Sequence, residues 1–464
     1  MTKKRYKLLL INPLNMRRIG LIRDRESIYP PMSLGIIAAL TPEHWEVEIL
    51  DENFERFQYK EADLVGFTAL TSSIYRAYEL SALYRKNNIP TVIGGIHASM
   101  LPEEAMQHVD TVVKGEAESI WTQIIEDFEI GQLKKMYSGK LLPLVKSPKP
   151  RIDLYNPGYA FGSIQTTRGC PMLCDFCSVH TFNGRAYRPR PVEEVIDEYA
   201  RIPQQRVYFV DDNLIGYSKK SADRIVEICK GIIDRGIKKD WFCSASMNIG
   251  ENEEVLHYMA KAGCRMIFLG IESESIDQLE ETHKNTNLRI GTDNFQKIYD
   301  AIHRHNIAVL GAFIFGLDTD TPETIRRRTD YILNSDIDAI QTTILTPLPG
   351  TPLFSRLHEE NRLLFTDYPK DWERYSFAEP VHKPKLMEFE EYETVVRESW
   401  ERLYDLQSLK RRILKTLKLT RNSVAATWAY ASNLQYHNLT FEGVRERADI
   451  KDIFKEFSIP VKKK

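Results

Sequence analysis

Short apolar runs alternate with helical stretches twice along this chain, and that alternation restricts it to wound α/β sheets. In the first 130 residues, the runs 7–12, 47–51, 64–68, 91–94 and 111–113 have the length and composition of buried strands. Between them, 34–40, 74–86, 102–107 and 117–128 read as helices. This spacing predicts a doubly wound parallel sheet of Rossmann type over residues 1–130. Ligands of such sheets sit at the carboxyl ends of the strands. Here those ends carry Asn12-Pro13, Thr68-Ala-Leu70-Thr-Ser-Ser and Gly94-Gly95-Ile-His97.

Residues 131–160, rich in Lys, Pro and Gly, are expected to form a linker. A second series follows over 161–355, with strands at 163–167, 206–210, 241–245, 266–270, 309–315 and 339–345. Helices near 192–200, 219–235, 253–261, 294–305 and 322–334 connect them. Six strand–helix units predict a partial, open version of the eight-stranded TIM barrel. A helical C-terminal region, 356–464, completes an α/β chain too long for one core.

A net charge of −2 gives no global reason to expect nucleic acid, and no low-complexity tract is present. The apolar run after the basic start spans only 8–11, too short for a signal peptide. The longest uncharged apolar stretch, 307–317, falls short of a membrane span. A cytoplasmic location is therefore expected, where clustered cysteines mean metal or catalysis rather than disulfides.

Cys170, Cys174 and Cys177 follow the first strand of the second series directly, in Arg168-Gly-Cys-Pro-Met-Leu-Cys-Asp-Phe-Cys177. A structural zinc site takes four protein ligands, and an iron–sulfur cubane held by protein alone takes four cysteines. Three thiolates leave one iron open, where a small molecule can bind and be reduced. In barrels this strand-to-helix loop lies on the catalytic face.

With the aromatic Phe176 before its last cysteine, the segment closely resembles the signature of the radical S-adenosylmethionine superfamily, and the resemblance covers residues 160 to about 355. It implies a 4Fe-4S cluster on the three cysteines, with S-adenosylmethionine chelating the open iron. Reductive cleavage would then yield a 5′-deoxyadenosyl radical. Asp211 and Asp212 end the apolar run 207–210, where the family contacts the cofactor's amino group. The family often uses Gly-Gly-Glu there, which this chain lacks, and a helix N-cap is the other reading. Ser244 and Ser246 match the family's ribose and carboxylate contacts loosely. Glu272 ends an apolar strand, where an unpartnered carboxylate is costly, and resembles the family's Gly-x-Glu element near the methionyl or ribose group. Phe315-Gly316-Leu317 and the loop 347–351 resemble elements lining the adenosyl site, or are strand and turn punctuation.

The N-terminal part resembles the cobalamin-binding domain of one large class of these enzymes. Pro30-Pro-Met-Ser-Leu-Gly35, Val47-Glu-Ile-Leu-Asp51, Gly94-Gly-Ile-His97 and Val113-Lys-Gly-Glu-Ala-Glu118 carry that likeness. Of three elements common in cobalamin domains, Thr68-Ala-Leu70 stands for Ser-x-Leu and Gly94-Gly95 for Gly-Gly. The Asp-x-His-x-x-Gly element is missing, and residues 12–29 contain no histidine, so the resemblance implies cobalamin held without histidine on cobalt. A sheet that has lost its cofactor and merely caps the barrel is the alternative. His97 is expected to be structural.

Cys229, Cys243 and Cys264 have no cluster spacing and are expected in the core. Arg326-Arg-Arg328 is expected on a solvated helix face. Residues 406–441 carry no acidic side chain, while Lys410, Arg411, Arg412, Lys415, Lys418 and Arg421 flank an apolar stripe of Leu406, Leu409, Ile413 and Leu417. This resembles a helix lying on an anionic membrane, or one packed on the barrel with an exposed basic side. The leading expectation is methylation of an unactivated carbon on a small or lipid-like substrate, such as a lipid, isoprenoid or tetrapyrrole. A flavodoxin or ferredoxin would supply electrons, and contact with the membrane's inner face would be peripheral. Cyclisation, carbon–carbon coupling or desaturation without methyl transfer, and a non-catalytic iron–sulfur electron-transfer protein, are the competing readings.

Overall fold

The computed structural model describes residues 4–17 and 29–442. The first sheet holds six parallel strands in the order β2-β1-β3-β4-β5-β6. These are β1 Tyr6–Asn12, β2 Trp45–Asp51, β3 Leu64–Thr68, β4 Thr91–Gly94, β5 Thr111–Lys114 and β6 Met136–Ser138. Successive side chains of a strand point to opposite faces, and both faces here are covered. Leu9, Ile11, Val65, Phe67 and Ile93 pack on one side with Ile74, Ala77 and Tyr84. Leu8, Leu10, Leu64 and Val92 pack on the other with Leu34, Ala38, Trp121 and Ile124. Burying each such side chain contributes about 1.5–3 kcal/mol.

The segment expected as a linker does more than connect. Its β6 pairs with β5 from Val112–Met136 to Lys114–Ser138. Further on, Arg151 N donates to Gly35 O at 3.0 Å. A Cβ on Gly35 would stand 1.9 Å from the Tyr155 hydroxyl oxygen, so only glycine admits the strap.

The second sheet is the expected partial barrel, with six parallel strands in the order β14-β13-β12-β11-β10-β7. They are β7 Phe161–Ile164, β10 Arg206–Phe209, β11 Asp240–Ala245, β12 Cys264–Glu272, β13 Ala308–Phe315 and β14 Ala339–Ile344. A short antiparallel ribbon, β8 Thr167–Arg168 with β9 Arg188–Pro189, brackets the cysteine loop.

Three C-terminal helices, Phe389–Tyr404, Leu406–Thr420 and Ser423–Glu442, close the open side. Ala425, Trp428 and Ala429 of the last helix pack among Phe161, Phe242, Met266 and Leu310 inside the barrel. Edge strand β14 would otherwise present unpaired backbone. Asn433 accepts from Ile340 N at 3.1 Å, and Tyr404 OH accepts from Thr342 N at 3.0 Å. Residues 443–464, part of the expected helical C-terminal region, lie outside the described residues.

One surface expectation is corrected. Arg326 and Arg327 reach solvent, but Arg328 is fully buried, with Asp320 at 2.9 Å and Glu274 at 3.2 Å. It shares the inward face of Pro322–Asn334 with Ile325, Thr329 and Ile332. Helix Leu406–Thr420 turns inward a face of Ser408, Leu409, Arg412, Thr416 and Thr420. Leu406 and Leu414, 58% and 60% exposed, point outward instead. No helix among the described residues is long and apolar enough to cross a membrane.

Candidate active site

The cysteine loop begins at Gly169, whose φ of +90° suits glycine and where a Cβ would lie 2.1 Å from Ala186 O. Asp211 accepts from the backbone N–H groups of Thr166 and Thr167 at 2.7 and 2.5 Å, and from both threonine hydroxyls at 3.0 and 3.1 Å. These bonds pull Thr166 out of the β7 ladder, which ends earlier than expected, at Ile164. Asp212 accepts from Gly169 N at 3.0 Å and Asn183 Nδ2 at 2.9 Å. Neither aspartate caps a helix, since Ser218 caps Lys219–Asp234. Both instead fasten the stem of the cysteine loop. Burial pushes Asp211 up to about 6 against the hydrogen bonds that favour its charge.

Burial raises the thiols of Cys170 and Cys174 and pushes Cys177 up to about 12. The Lys284 ammonium opposes this at all three. Lys284 Nζ in turn lies 2.5 Å from Glu272 Oε1. Burial alone would discharge this lysine, but Glu272 and Cys174 more than offset it and hold it charged. Glu272 sits at a bulge in β12 with a φ of +66°. Bulges re-aim side chains beside active sites, and here the carboxylate turns toward the cysteine loop.

The donor set suits a cluster. Cys170, Cys174 and Cys177 are free thiols on one loop, one fewer than a cubane held by protein alone takes. Cys229, Cys243 and Cys264 lie buried in the barrel core, as expected, which leaves three cysteines on the loop.

Other expected site residues gather on the same strand ends. Ser244 shares a hydrogen bond with Tyr208 at 3.0 Å, and Ser246 with Tyr217 at 2.6 Å. Tyr217 stands against Cys170. Asn213 Nδ2, Asn248 Oδ1 and Asn287 Oδ1 are buried nearby without a hydrogen-bond partner. Buried polar atoms are normally paired, so these orphans are open to a polar ligand. Phe176 and Glu272 face a cavity of about 730 Å³ roofed by the C-terminal helices. Phe268, Trp400, Tyr404 and Tyr436 line it, with Arg17 and Arg397 as its cations.

Thr68, Gly94 and Gly95 meet Gln165, Arg168 and Val210 of the barrel around a second cavity, of about 290 Å³. A Cβ on Gly94 would make ordinary contact with Val113 at 3.8 Å, so alanine is admitted there without a clash. Leu70, 66% exposed, stands at the carboxyl end of β3, where ligands of such sheets bind. His97 is structural as expected, buried between Thr71 at 3.2 Å and Glu104 at 3.1 Å. Residues 18–28 of the histidine-free loop lie outside the described residues.

Lys284, Tyr217 and Asn287 were not foreseen from the sequence. They sit in polar surroundings with no motif spacing; the fold brings Lys284 and Tyr217 to the cysteines and Asn287 to the carbonyls of Gly270 and Ile271.

Comparison with known proteins agrees with this geometry. The radical SAM superfamily profile matches residues 164–332, and the B12 binding domain profile matches 19–125. The chain is 28% identical over 408 residues to the bacteriochlorophyllide d C-12(1)-methyltransferase of Chlorobaculum tepidum, covering 83% of this chain and 84% of that one. It is 30% identical over 360 residues to the hopanoid C-2 methylase of Rhodopseudomonas palustris, covering 75% and 68%. Its fold is similar to that of the radical S-adenosylmethionine methyltransferase TsrM from Kitasatospora setae, with a TM-score of 0.69 at 18% identity, covering 88% and 90%.

Fold and cysteine loop together define a radical S-adenosylmethionine enzyme. Within that superfamily, the chain belongs to the class whose barrel follows a B12-binding domain. Its cofactors are a 4Fe-4S cluster, S-adenosylmethionine and cobalamin.

Proposed function

We propose that this chain methylates an unactivated carbon of a large, mostly apolar small molecule of the polycyclic lipid or tetrapyrrole kind. The carrying observation is the aromatic-lined cavity of about 730 Å³ that begins at Phe176 and Glu272 beside the cysteines. The names of two relatives, a bacteriochlorophyllide methyltransferase and a hopanoid methylase, support that substrate class. When bound, the cluster and S-adenosylmethionine supply a hydrogen-abstracting radical, and cobalamin supplies the methyl group.

The chain's own residues do the rest. Cys170, Cys174 and Cys177 hold the cluster, and Asp211 and Asp212 fix the loop that carries them. Lys284 and Glu272 form a charge pair suited to the carboxylate and amino groups of S-adenosylmethionine, with Asp212, Ser244, Ser246 and Phe176 completing its site. Thr68, Gly94 and Gly95 receive the cobalamin tail, and Leu70 faces the ring. The C-terminal helices exclude water from the reacting carbon. A flavodoxin or ferredoxin is the electron donor. The outward leucines of Leu406–Thr420, beside exposed Lys410, Arg411 and Lys418, rest on an anionic bilayer from which an apolar substrate is drawn.

Anaerobic reconstitution with iron, sulfide and cobalamin, followed by a deoxyadenosine assay and product mass, tests this reading. A methyl-mass gain, lost in Cys174→Ala while both domains stay folded, is expected. Hydrogen loss or rearrangement instead would favour cyclisation or desaturation. Failure to bind cobalamin would remove methyl transfer.

A further inference from the structure

Glu116 follows β5 in the N-terminal domain, and its carboxylate crosses to the barrel. Arg168 Nη1 lies 3.3 Å from Glu116 Oε1, and Arg168 Nη2 lies 2.6 Å from Glu118 Oε1. Arg188 grips both oxygens of Glu116, at 2.5 and 3.0 Å. The arginines occupy the two strands of the ribbon that brackets the cysteine loop, and Arg168 is two residues from Cys170. Arg188 also donates to Asn183 O at 3.0 Å and Leu142 O at 2.7 Å, tying the far end of the loop and the strap to the same point. Burial would raise the Glu116 carboxyl, but Arg188 and Arg168 more than offset it, so it stays charged below its ordinary range. The cluster of charges forms part of the wall of the 290 Å³ cavity between the two domains.

We infer that Glu116, held by Arg168 and Arg188, is a positioning residue that sets the B12-binding domain against the cysteine loop, so that methyl donation and hydrogen abstraction converge on one carbon. The inference rests on the methyl-transfer reading. Each cofactor site is built on its own domain, so a small tilt between the sheets displaces one reacting group relative to the other. A displacement of about 1 Å can cost about a hundredfold in rate. Glu116 is joined on both sides of the ribbon, which resists tilt in two directions. Glutamine at this position would keep the shape but remove the counter-charge that two half-buried guanidinium groups share, leaving Arg168 only Glu118.

Two measurements on the full chain test it. In Glu116→Gln, the ratio of methylated product to deoxyadenosine should fall about tenfold or more, and Glu116→Asp should recover part of it. Arg188→Lys, which keeps charge but loses the planar fork, should give an intermediate ratio and guards against a Glu116 variant that fails to fold. In the cofactor-free chain, Glu116→Gln should speed amide hydrogen exchange in 113–119 and 166–189 together. A wild-type ratio in Glu116→Gln and Arg188→Lys would reduce the clamp to a structural contact and overturn the inference, as would unchanged exchange in both segments. A wild type that makes no methylated product overturns the methyl-transfer reading instead, and the exchange measurement then decides the clamp alone.

Discussion

Lys284 Nζ stands 2.5 Å from Glu272 Oε1 at the buried carboxyl end of β12, and both charges act on the cysteine sulfurs. The lysine lowers the thiols that burial raises, while the glutamate raises Cys174. A charge pair in this setting holds its partners through mutual dependence. Lys284→Met should destabilise the cofactor-free chain by about 3–5 kcal/mol, because it leaves a buried carboxylate uncompensated. Lys284→Met with Glu272→Gln should cost much less than the sum of the singles. Urea unfolding of the three variants measures this, and simple additivity would mean that the pair is not coupled.

Gly169→Ala tests the stem of the loop. A Cβ there meets Ala186 O at 2.1 Å, and the left-handed φ adds strain. The variant should keep its far-ultraviolet circular dichroism and lose most of its iron after reconstitution. Full iron loading would show that the loop tolerates a different path.

Asp211 gives a pH dependence whose sign is opposite to the usual carboxylate case. Its folded value, about 6, lies above the ordinary 3.8, so the folded chain binds the proton more tightly than the unfolded one. That contribution is fully present below about pH 4 and is lost as pH rises through about 6. The stability of wild type minus that of Asp211→Asn should therefore decline by about 2 kcal/mol from pH 4 to pH 7. A flat difference would contradict the burial argument.

Gly94 offers a separate test of the cobalamin cavity. Alanine fits there, with 3.8 Å to its nearest neighbour, whereas phenylalanine would fill the space. Gly94→Phe should lose cobalamin on gel filtration, and Gly94→Ala should retain it. Equal cobalamin content in both would place the tail elsewhere.

The outward face of Leu406–Thr420 can be tested with vesicles. Leu406→Glu with Leu414→Glu should abolish co-sedimentation with phosphatidylglycerol vesicles at low salt. Wild-type binding should weaken as ionic strength rises. No binding by the wild type would return this helix to a simple packing role.

Much of this was legible in the residues because strand–helix alternation and cysteine spacing are local signals. The class of both sheets and the place of the cysteine loop follow from them, whereas β6, in the segment expected as a linker, was missed. Glu272 stood out because it ends an apolar run, and Leu70 through the likeness of Thr68-Ala-Leu70 to a Ser-x-Leu element. Arg328 was misplaced because a run of three arginines reads as a charged face. The 3.6-residue period linking it to Ile325, Thr329 and Ile332 was present and outweighed by composition. The roles of Asp211 and Asp212 could not be read, since their partners Thr166, Thr167, Gly169 and Asn183 belong to a neighbouring loop. Lys284 was missed for the same reason. Long-range polar pairing leaves no periodic trace along a chain.

The central claim is that three cysteine thiolates leave one iron of a cubane for an amino-acid chelate. Electron–nuclear double resonance on the reduced, reconstituted protein with ¹⁵N-labelled S-adenosylmethionine tests it most directly. A resolved nitrogen coupling to the cluster, absent without the labelled compound, is the expected result. A fully formed cluster with no nitrogen coupling at saturating S-adenosylmethionine would contradict the account.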